Sequence, residues 1–294
     1  MKCKSIKIKI VPAAVLTASL LLTGCSADEE PAATTNSADQ AASTETAAVD
    51  LSAETDQYKT FALEQMDSFL VETEKFVNAF VDGDIETAKA LYPEARMYFE
   101  RSEPIAESFG DLDPRIDGRL ADIQEEGKGE EEWTGYHKLE YALWVKNTTK
   151  GYEEVANQLL ADTKELHALV QTVDVEPDLM ITGAVDLLNE VSTSKITGEE
   201  EIYSHTDLYD FKANIEGAEK IFEILRDKIK AKDADLVTTL EERFATVDEL
   251  LAKYETTDGG YVSYEELTEE DTKALATAVN QLGEPLSQMG IILE

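Results

Sequence analysis

The chain is 294 residues long and carries 62 acidic against 26 basic side chains, a formal charge of −36, with two cysteines. Charge of that sign repels nucleic acid and anionic polymers, which excludes them as direct partners, and it draws cations to the surface. Two cysteines are too few for a disulfide framework or a four-thiolate metal centre.

Residues 1–24 read as a targeting segment rather than as fold. Lys2, Lys4, Lys7 and Lys9 give a positive start, and the apolar run at residues 10–22 is short for a membrane span. The run ends in LTGC, residues 22–25, which resembles the bacterial lipobox. Cys25 is therefore expected to be lipidated and to become the new N-terminus on the outer face of the cell membrane. Two acyl chains suffice for stable anchoring without a spanning helix. Cys3 leaves with the signal, so no free thiol remains. The four lysines leave too, which takes the mature chain to about −40. Residues 25–52 are rich in Ala, Ser, Thr and acids with no aromatic side chain, the composition of a flexible tether.

Residues 53–294 read as helix almost throughout. Tyr58, Phe61, Phe69, Phe76, Val77 and Phe80 recur at helical spacing up to Asp82-Gly83. Asp84 caps a second segment through Leu91, Met97 and Phe99, with a kink expected at Pro93 or Pro104. A third helix is expected from about Tyr152 to Val173, and Pro177 opens a fourth with Leu187, Leu188 and Val191 inward. Three more stripes follow, around Phe211 and Phe222, around Leu240 and Phe244, and around Leu275 and Leu286. Long helices with short links predict an all-α fold of packed antiparallel bundles. Three turn-rich stretches interrupt it: GDLDPRIDG at 110–118, the charged loop at 127–133, and TTDGGYVSY at 256–264.

Metal chemistry in a helical bundle needs inward ligands at i and i+3 or i+4. His137/Glu140 in GYHKLEYALW and Glu100/Glu103 in YFERSEPIAESF fit that spacing. Asp117 follows in the next turn, and Glu199, Glu200, His205 and Asp207 cluster in GEEEIYSHTDLYD. Carboxylates with an imidazole suit iron, manganese or calcium. In so acidic a chain Glu-x-x-Glu is also what a solvated helix face looks like. His137 says more, because histidine is scarce and Tyr136, Leu139, Tyr141 and Trp144 around it read as core. A metal ligand and a satisfied buried pair both remain open for it. His167, alone on an amphipathic helix, reads as an ordinary polar residue. Catalytic patterns fail: His-Glu-x-x-His is absent, Tyr141 stands where the reversed motif needs histidine, and Arg115 breaks an EF-hand at Asp111. There is no Glu-x-x-His pair for a di-iron centre, no nucleophile elbow and no P-loop.

Taken together, ERSEPIAESFGDLDPRID, TGYHKLEYALW, STSKITGEEEIYSHTDLYDF, and FATVDELLAKY with its following DGGY resemble the imelysin-like domain of EfeO/EfeM proteins. These are components of a bacterial iron-uptake system, and the resemblance runs from about Gln57 to the C-terminus. It implies two packed helical bundles with a cleft between them. It also implies an iron-binding role beside an EfeU-like iron permease and an EfeB-like haem-dependent peroxidase. The metal residues it implies are Glu100, Glu103, Asp117 and Glu200 (favoured over Glu199), with His137 and Glu140 from Gly-x-His-x-x-Glu. His205 and Asp207 stand as additional ligands or supports, and zinc or calcium as further cations. EfeO proteins often carry a cupredoxin domain ahead of the helices. Here a tether fills that space, as in the helical-domain-only, EfeM-like form. Two other activities occur among such proteins, metal-dependent peptide cleavage and metal-bridged binding of acidic polysaccharide. The failed zincin patterns oppose the first, and the charge opposes the second.

Overall fold

The first aromatic stripe forms α1 (Ser52–Asp82) in the computed structural model, which describes residues 49–293. The expected signal, Cys25 and most of the tether lie outside the described residues. Leu51, assigned to the tether by composition, is buried at the foot of α1. Gly83 ends α1 at φ 81, and its N–H and that of Asp84 take the carbonyls of Phe80 and Ala79. The Asp84 carboxylate then accepts the Thr87 N–H at 3.1 Å and starts α2 (Ile85–Glu100), so the two helices form an antiparallel hairpin.

Of the two expected kinks, the chain uses the second. Pro93 lies within a continuous α2, whereas the helix stops at Glu100 and restarts as α3 (Glu103–Ala106), with Pro104 in its first turn. The short helices α4 (Leu112–Asp117) and α5 (Leu120–Glu125) follow. Next comes α6 (Gly135–Glu140), continued by a wider π turn over Tyr141–Val145 whose Lys146 N–H reaches the Tyr141 carbonyl. The third long helix, α7, covers Glu153–Val170, slightly less than the periodicity suggests. The last four are α8 (Pro177–Thr193), α9 (Asp207–Lys232), α10 (Ala234–Leu251) and α11 (Glu269–Leu293).

Helices α1, α2, α6 and α7 pack as one group and α8–α11 as a second, and the groups meet along α2 and α9. Among the described residues there is no strand, only a single bridge between Glu255 and Tyr261. The fold is all-α, as expected. In the first group Tyr136 stacks on Phe76 at 5.4 Å and lies edge-on to Tyr92 at 5.7 Å, and its hydroxyl meets Thr73 at 2.7 Å. Burying side chains of this size contributes about 2 kcal/mol each, which fixes α6 against α1 and α2. Tyr136 and Leu139 are core, as read from the sequence, whereas Tyr141 and Trp144 are only half-buried.

Candidate metal centre

The seam between the two helical groups is polar. On α2, Arg96 and Glu100 stand one turn apart, both fully buried, and face Asp210 and Asn214 of α9. The break after Glu100 places Glu100 and Glu103 on consecutive helices rather than on one face of one helix. They still converge, because the Asn214 amide donates to the Glu100 carbonyl at 3.0 Å, to its carboxylate at 3.1 Å and to Glu103 at 3.5 Å.

Arg96 is the hub. Its guanidinium pairs with Glu100 at 2.5 Å and with Asp117 at the end of α4, and its Nε lies 2.7 Å from Glu201 and 3.4 Å from Asp210. A second buried cation, Lys195, sits in the turn after α8 and reaches Glu190 at 2.7 Å, Glu100 at 3.3 Å and Glu200 at 3.6 Å.

His137 comes to this cluster from α6, whose start is set by backbone contact. Gly135 has φ 80, and a Cβ there would lie 2.2 Å from the Ile116 carbonyl oxygen. The preceding loop is tied to α4 through the Trp133 indole on the Gly118 carbonyl (2.7 Å) and the Thr134 hydroxyl on the Arg115 carbonyl (2.9 Å). His137 Nδ1 meets Glu140 Oε2 at 3.2 Å. Glu140 Oε1 accepts the backbone N–H groups of Tyr203 and Ser204 at 2.9 and 2.7 Å. Both Glu140 oxygens are thereby engaged. The other imidazole nitrogen, Nε2, has no hydrogen-bond partner and faces Asp117 at 3.6 Å and Glu200 at 3.8 Å.

Three sets of side chains bring ligand atoms close enough to share an ion: Asp117 with His137 and Glu200, His137 with Glu140 and Glu201, and Glu100 with Glu103 and Glu190. The first pairs an orphaned imidazole nitrogen with two carboxylates, a donor set that suits a first-row divalent ion. In the second, Glu201 is already occupied by Tyr92 (3.1 Å), Ser204 (2.7 Å) and Arg96, and Glu140 by the backbone.

The buried carboxyls Glu100, Glu103, Asp117, Glu140, Glu200, Glu201, Asp207 and Asp210 outnumber the permanent buried cations of the cluster, Arg96 and Lys195. The excess shows in their proton affinities. Burial, with Glu190 adding to it, holds Glu103 well above the usual carboxylate range. Burial lifts Glu100 and Asp210 against the pull of their cations. It pushes Glu201 up to about 8, with Glu140 adding to it, and Asp207 up to about 6. Glu200 runs the other way. Burial opposes its charge, but Lys195, His137 and Arg119 outweigh that and hold it well below its ordinary value. For His137, burial and Arg96 disfavour the cation, yet Asp117, Glu140 and Glu200 hold the imidazole well above its usual range. A divalent ion entering here exchanges for protons.

Glu100, Glu103, Asp117, His137, Glu140 and Glu200 all meet in this seam. Glu199 and Glu200 separate as neighbours in a turn do: Glu199 is exposed and Glu200 buried. Asp207 is buried but accepts the Glu201 N–H at 3.1 Å and so shapes the 201–207 turn. His205 does not join. Its backbone is left-handed at φ 58, and its ring faces Glu265 at 3.7 Å on the far side of that turn. His167 pairs with Asp67 on the surface, as an ordinary polar residue would. Sequence reasoning missed Arg96, Lys195, Glu201, Asp210, Glu190 and Asn214. Arg96 carries a local signal, a base four residues before Glu100 on the same helix face.

Two cavities reach the cluster from solvent. One, of about 340 Å³, opens onto His137, Glu140 and Glu200 between Trp133 and Tyr203. The other, of about 380 Å³, is lined by Glu103, Asp113, Asp117, Glu190 and Lys195. Arg119 stands between them, bound to Asp122 at 2.8 and 2.9 Å and to Glu200 at 3.4 Å. Among the described residues no helix is long and apolar enough to cross a membrane.

A family model described as imelysin, under the peptidase-family label Peptidase_M75, matches residues 33–289. Proteins named Efem/EfeO family lipoprotein from Staphylococcus aureus strains MSSA476, MW2 and NCTC 8325 are each 56% identical over 244 residues. Those alignments cover 82% of this chain and 84% of each relative.

Proposed function

Because the chain belongs to the imelysin family, in its EfeM/EfeO lipoprotein group, we propose that it is the extracytoplasmic, lipid-anchored component of an Efe-type uptake system. In this reading it binds iron as cargo and passes it to a membrane permease, with a haem-dependent peroxidase as a further partner. One observation carries the metal-binding part: a fully buried imidazole nitrogen without a hydrogen-bond partner faces Asp117 and Glu200 inside a cluster of excess carboxyls. Unpaired buried polar atoms are costly, and a cation would satisfy this one together with its neighbours.

Asp117, His137 and Glu200 are assigned as one ligand set, and Glu100, Glu103 and Glu190 as a second. Glu140 orients His137 rather than binding the ion, the arrangement by which an outer carboxylate fixes the ring and raises its basicity. Of the residues expected from the sequence, Glu100, Glu103, Asp117, His137 and Glu200 are kept as ligands, Glu140 becomes a support for His137, and Glu199 and His205 are left out. Cys25 supplies the lipid anchor, and the acidic surface concentrates cations near the cavities.

The alternative, a metal-dependent peptidase, needs a free carboxylate beside the ion to activate water. Glu140 is the carboxylate nearest that role, and its two oxygens are held by His137 and by two backbone N–H groups. The acidic surface also disfavours acidic polysaccharide. The deciding test is native mass spectrometry of the protein titrated with iron, zinc, calcium and copper. Stoichiometric iron binding is expected, weakened in both Glu103→Ala and His137→Ala. Unchanged binding in both variants removes these residues from the site.

A further inference from the structure

Lys195 is 1% exposed and sits inside the carboxylate cluster, where a cation's charge is already being supplied by its ammonium group. Its Nζ contacts three carboxylates from three directions, Glu190 at 2.7 Å, Glu100 at 3.3 Å and Glu200 at 3.6 Å. The Glu200 oxygen it approaches, Oε1, is also the one that faces His137 Nε2 at 3.8 Å and Arg96 at 3.9 Å. That one oxygen is thus shared between the ligand set around His137 and the lysine. Glu190 and Glu100 belong to the other candidate set, so the ammonium touches both.

Resting on the metal-binding reading above, we propose that Lys195 is the site's internal counter-cation, which a metal entering the set of Asp117, His137 and Glu200 must displace from Glu200 and which returns when that metal leaves. An ammonium and a divalent ion cannot share one buried carboxylate oxygen without strong mutual repulsion, because the low dielectric that strengthens each pairing strengthens their repulsion equally. The structure offers the lysine a place to go. Glu190, outside that set, holds its shortest contact, is 31% exposed and lines the acidic cavity, so an ammonium displaced from Glu200 keeps a partner there. The consequence for delivery is direct. Removing a metal from a buried anionic cluster leaves its carboxylates without a counter-charge, which opposes release until a proton or another cation takes the metal's place. A tethered ammonium that swings back removes that barrier to release. Lys195 is therefore a residue that tunes affinity downward, in keeping with a protein that must hand its cargo on.

The test measures Mn2+ and anaerobic Fe2+ affinity calorimetrically on the full-length protein in detergent. Lys195→Met keeps the bulk and removes the charge, and is expected to bind about tenfold more tightly or better. Lys195→Arg keeps the charge and is expected to stay within about threefold of wild type. A lysine serving only to hold the fold together would loosen binding when removed, so tightening separates the two roles. Should Lys195→Met not fold, Lys195→Gln, which keeps a donor for Glu190, decides by the same criterion. Unchanged or weaker binding in the neutral variant, with wild type binding normally, overturns the proposal. Absence of binding in wild type would instead overturn the metal-binding reading itself.

Discussion

Glu140 grips His137 through Nδ1 at 3.2 Å and leaves Nε2, the nitrogen turned toward Asp117 and Glu200, without a hydrogen-bond partner. The two residues of the His-x-x-Glu pair therefore have unequal parts. Removing His137 removes a ligand, and His137→Ala should abolish binding at the set it shares with Asp117 and Glu200. Glu140→Ala should leave the ligands in place and weaken binding by about 10–100-fold, the usual cost of losing an outer carboxylate behind a ligating histidine. Calorimetric titration of both variants checks this. Equal losses would make Glu140 a ligand in its own right.

Metal loading and protonation both relieve the excess negative charge of one buried cluster. Glu201, pushed up to about 8 by burial, keeps a proton in the folded protein that the unfolded chain gives up near its ordinary value of 4.5. A raised carboxyl pKa means the folded state binds the extra proton, so between about pH 4.5 and 8 this group makes stability fall as pH rises. Asp207, raised to about 6, acts the same way over the lower part of that window. Glu200, whose pKa is lowered, adds stability that is lost only as pH falls below its ordinary value, outside most of the window. The metal-free protein should therefore melt at progressively lower temperature from about pH 5 to pH 8, by an amount on the order of a few kcal/mol in stability. Bound metal should reverse the trend. Thermal melts in chelator and in Mn2+ measure both, and a metal-free melting temperature that climbs across the window refutes the account.

Arg96 faces four buried carboxyl groups at closer than 3.5 Å, from α2, α4, α9 and the turn after Gly198. Removing one partner of a buried ion network leaves the others uncompensated, typically at about 3–5 kcal/mol. Arg96→Met should destabilise the metal-free protein by that much in urea denaturation, and saturating divalent cation should recover part of the loss. A substitution that is neutral in chelator would show that protons alone already balance the cluster.

These residues also mark the limit of what the sequence discloses. Helix stripes are local, so Phe69, Phe76 and Phe80 announce α1 by spacing alone, and Asp84 announces the start of α2. His137 and Glu140 are legible for the same reason, being one turn apart on one helix. The Glu100/Glu103 pair was legible as a site but not as a geometry, because the helix ends between them and Asn214, more than a hundred residues later, reunites them. Lys195, Glu190, Glu201 and Asp210 carry no periodic mark of burial. A charged side chain becomes a core residue only through partners brought by other helices, and the burial of Glu200 beside the exposure of Glu199 is decided by a turn that no spacing rule reaches.

Gly135 gives the strongest link between backbone and site. Its φ of 80 lies in the left-handed region that side chains with a Cβ rarely adopt. The space is closed as well, since an added Cβ would meet the Ile116 carbonyl oxygen at 2.2 Å and the Arg115 carbonyl oxygen at 2.7 Å, both backbone atoms that cannot turn aside. Ile116 immediately precedes Asp117 in α4, so any retreat of that helix end moves a candidate ligand, while any retreat of Gly135 moves His137 two residues on. Gly135→Ala should thus cost more than the usual 1 kcal/mol or so of a strained glycine replacement. It should also weaken metal binding beyond what its stability loss explains. The comparison that isolates the effect is Gly259→Ala, at a similarly left-handed glycine (φ 91) with open space around it and no contact with the seam. Both variants should lose stability in urea, whereas only Gly135→Ala should lose affinity for Mn2+. Equal affinities in the two would mean that the spacing of Asp117 and His137 does not depend on the close approach at Gly135.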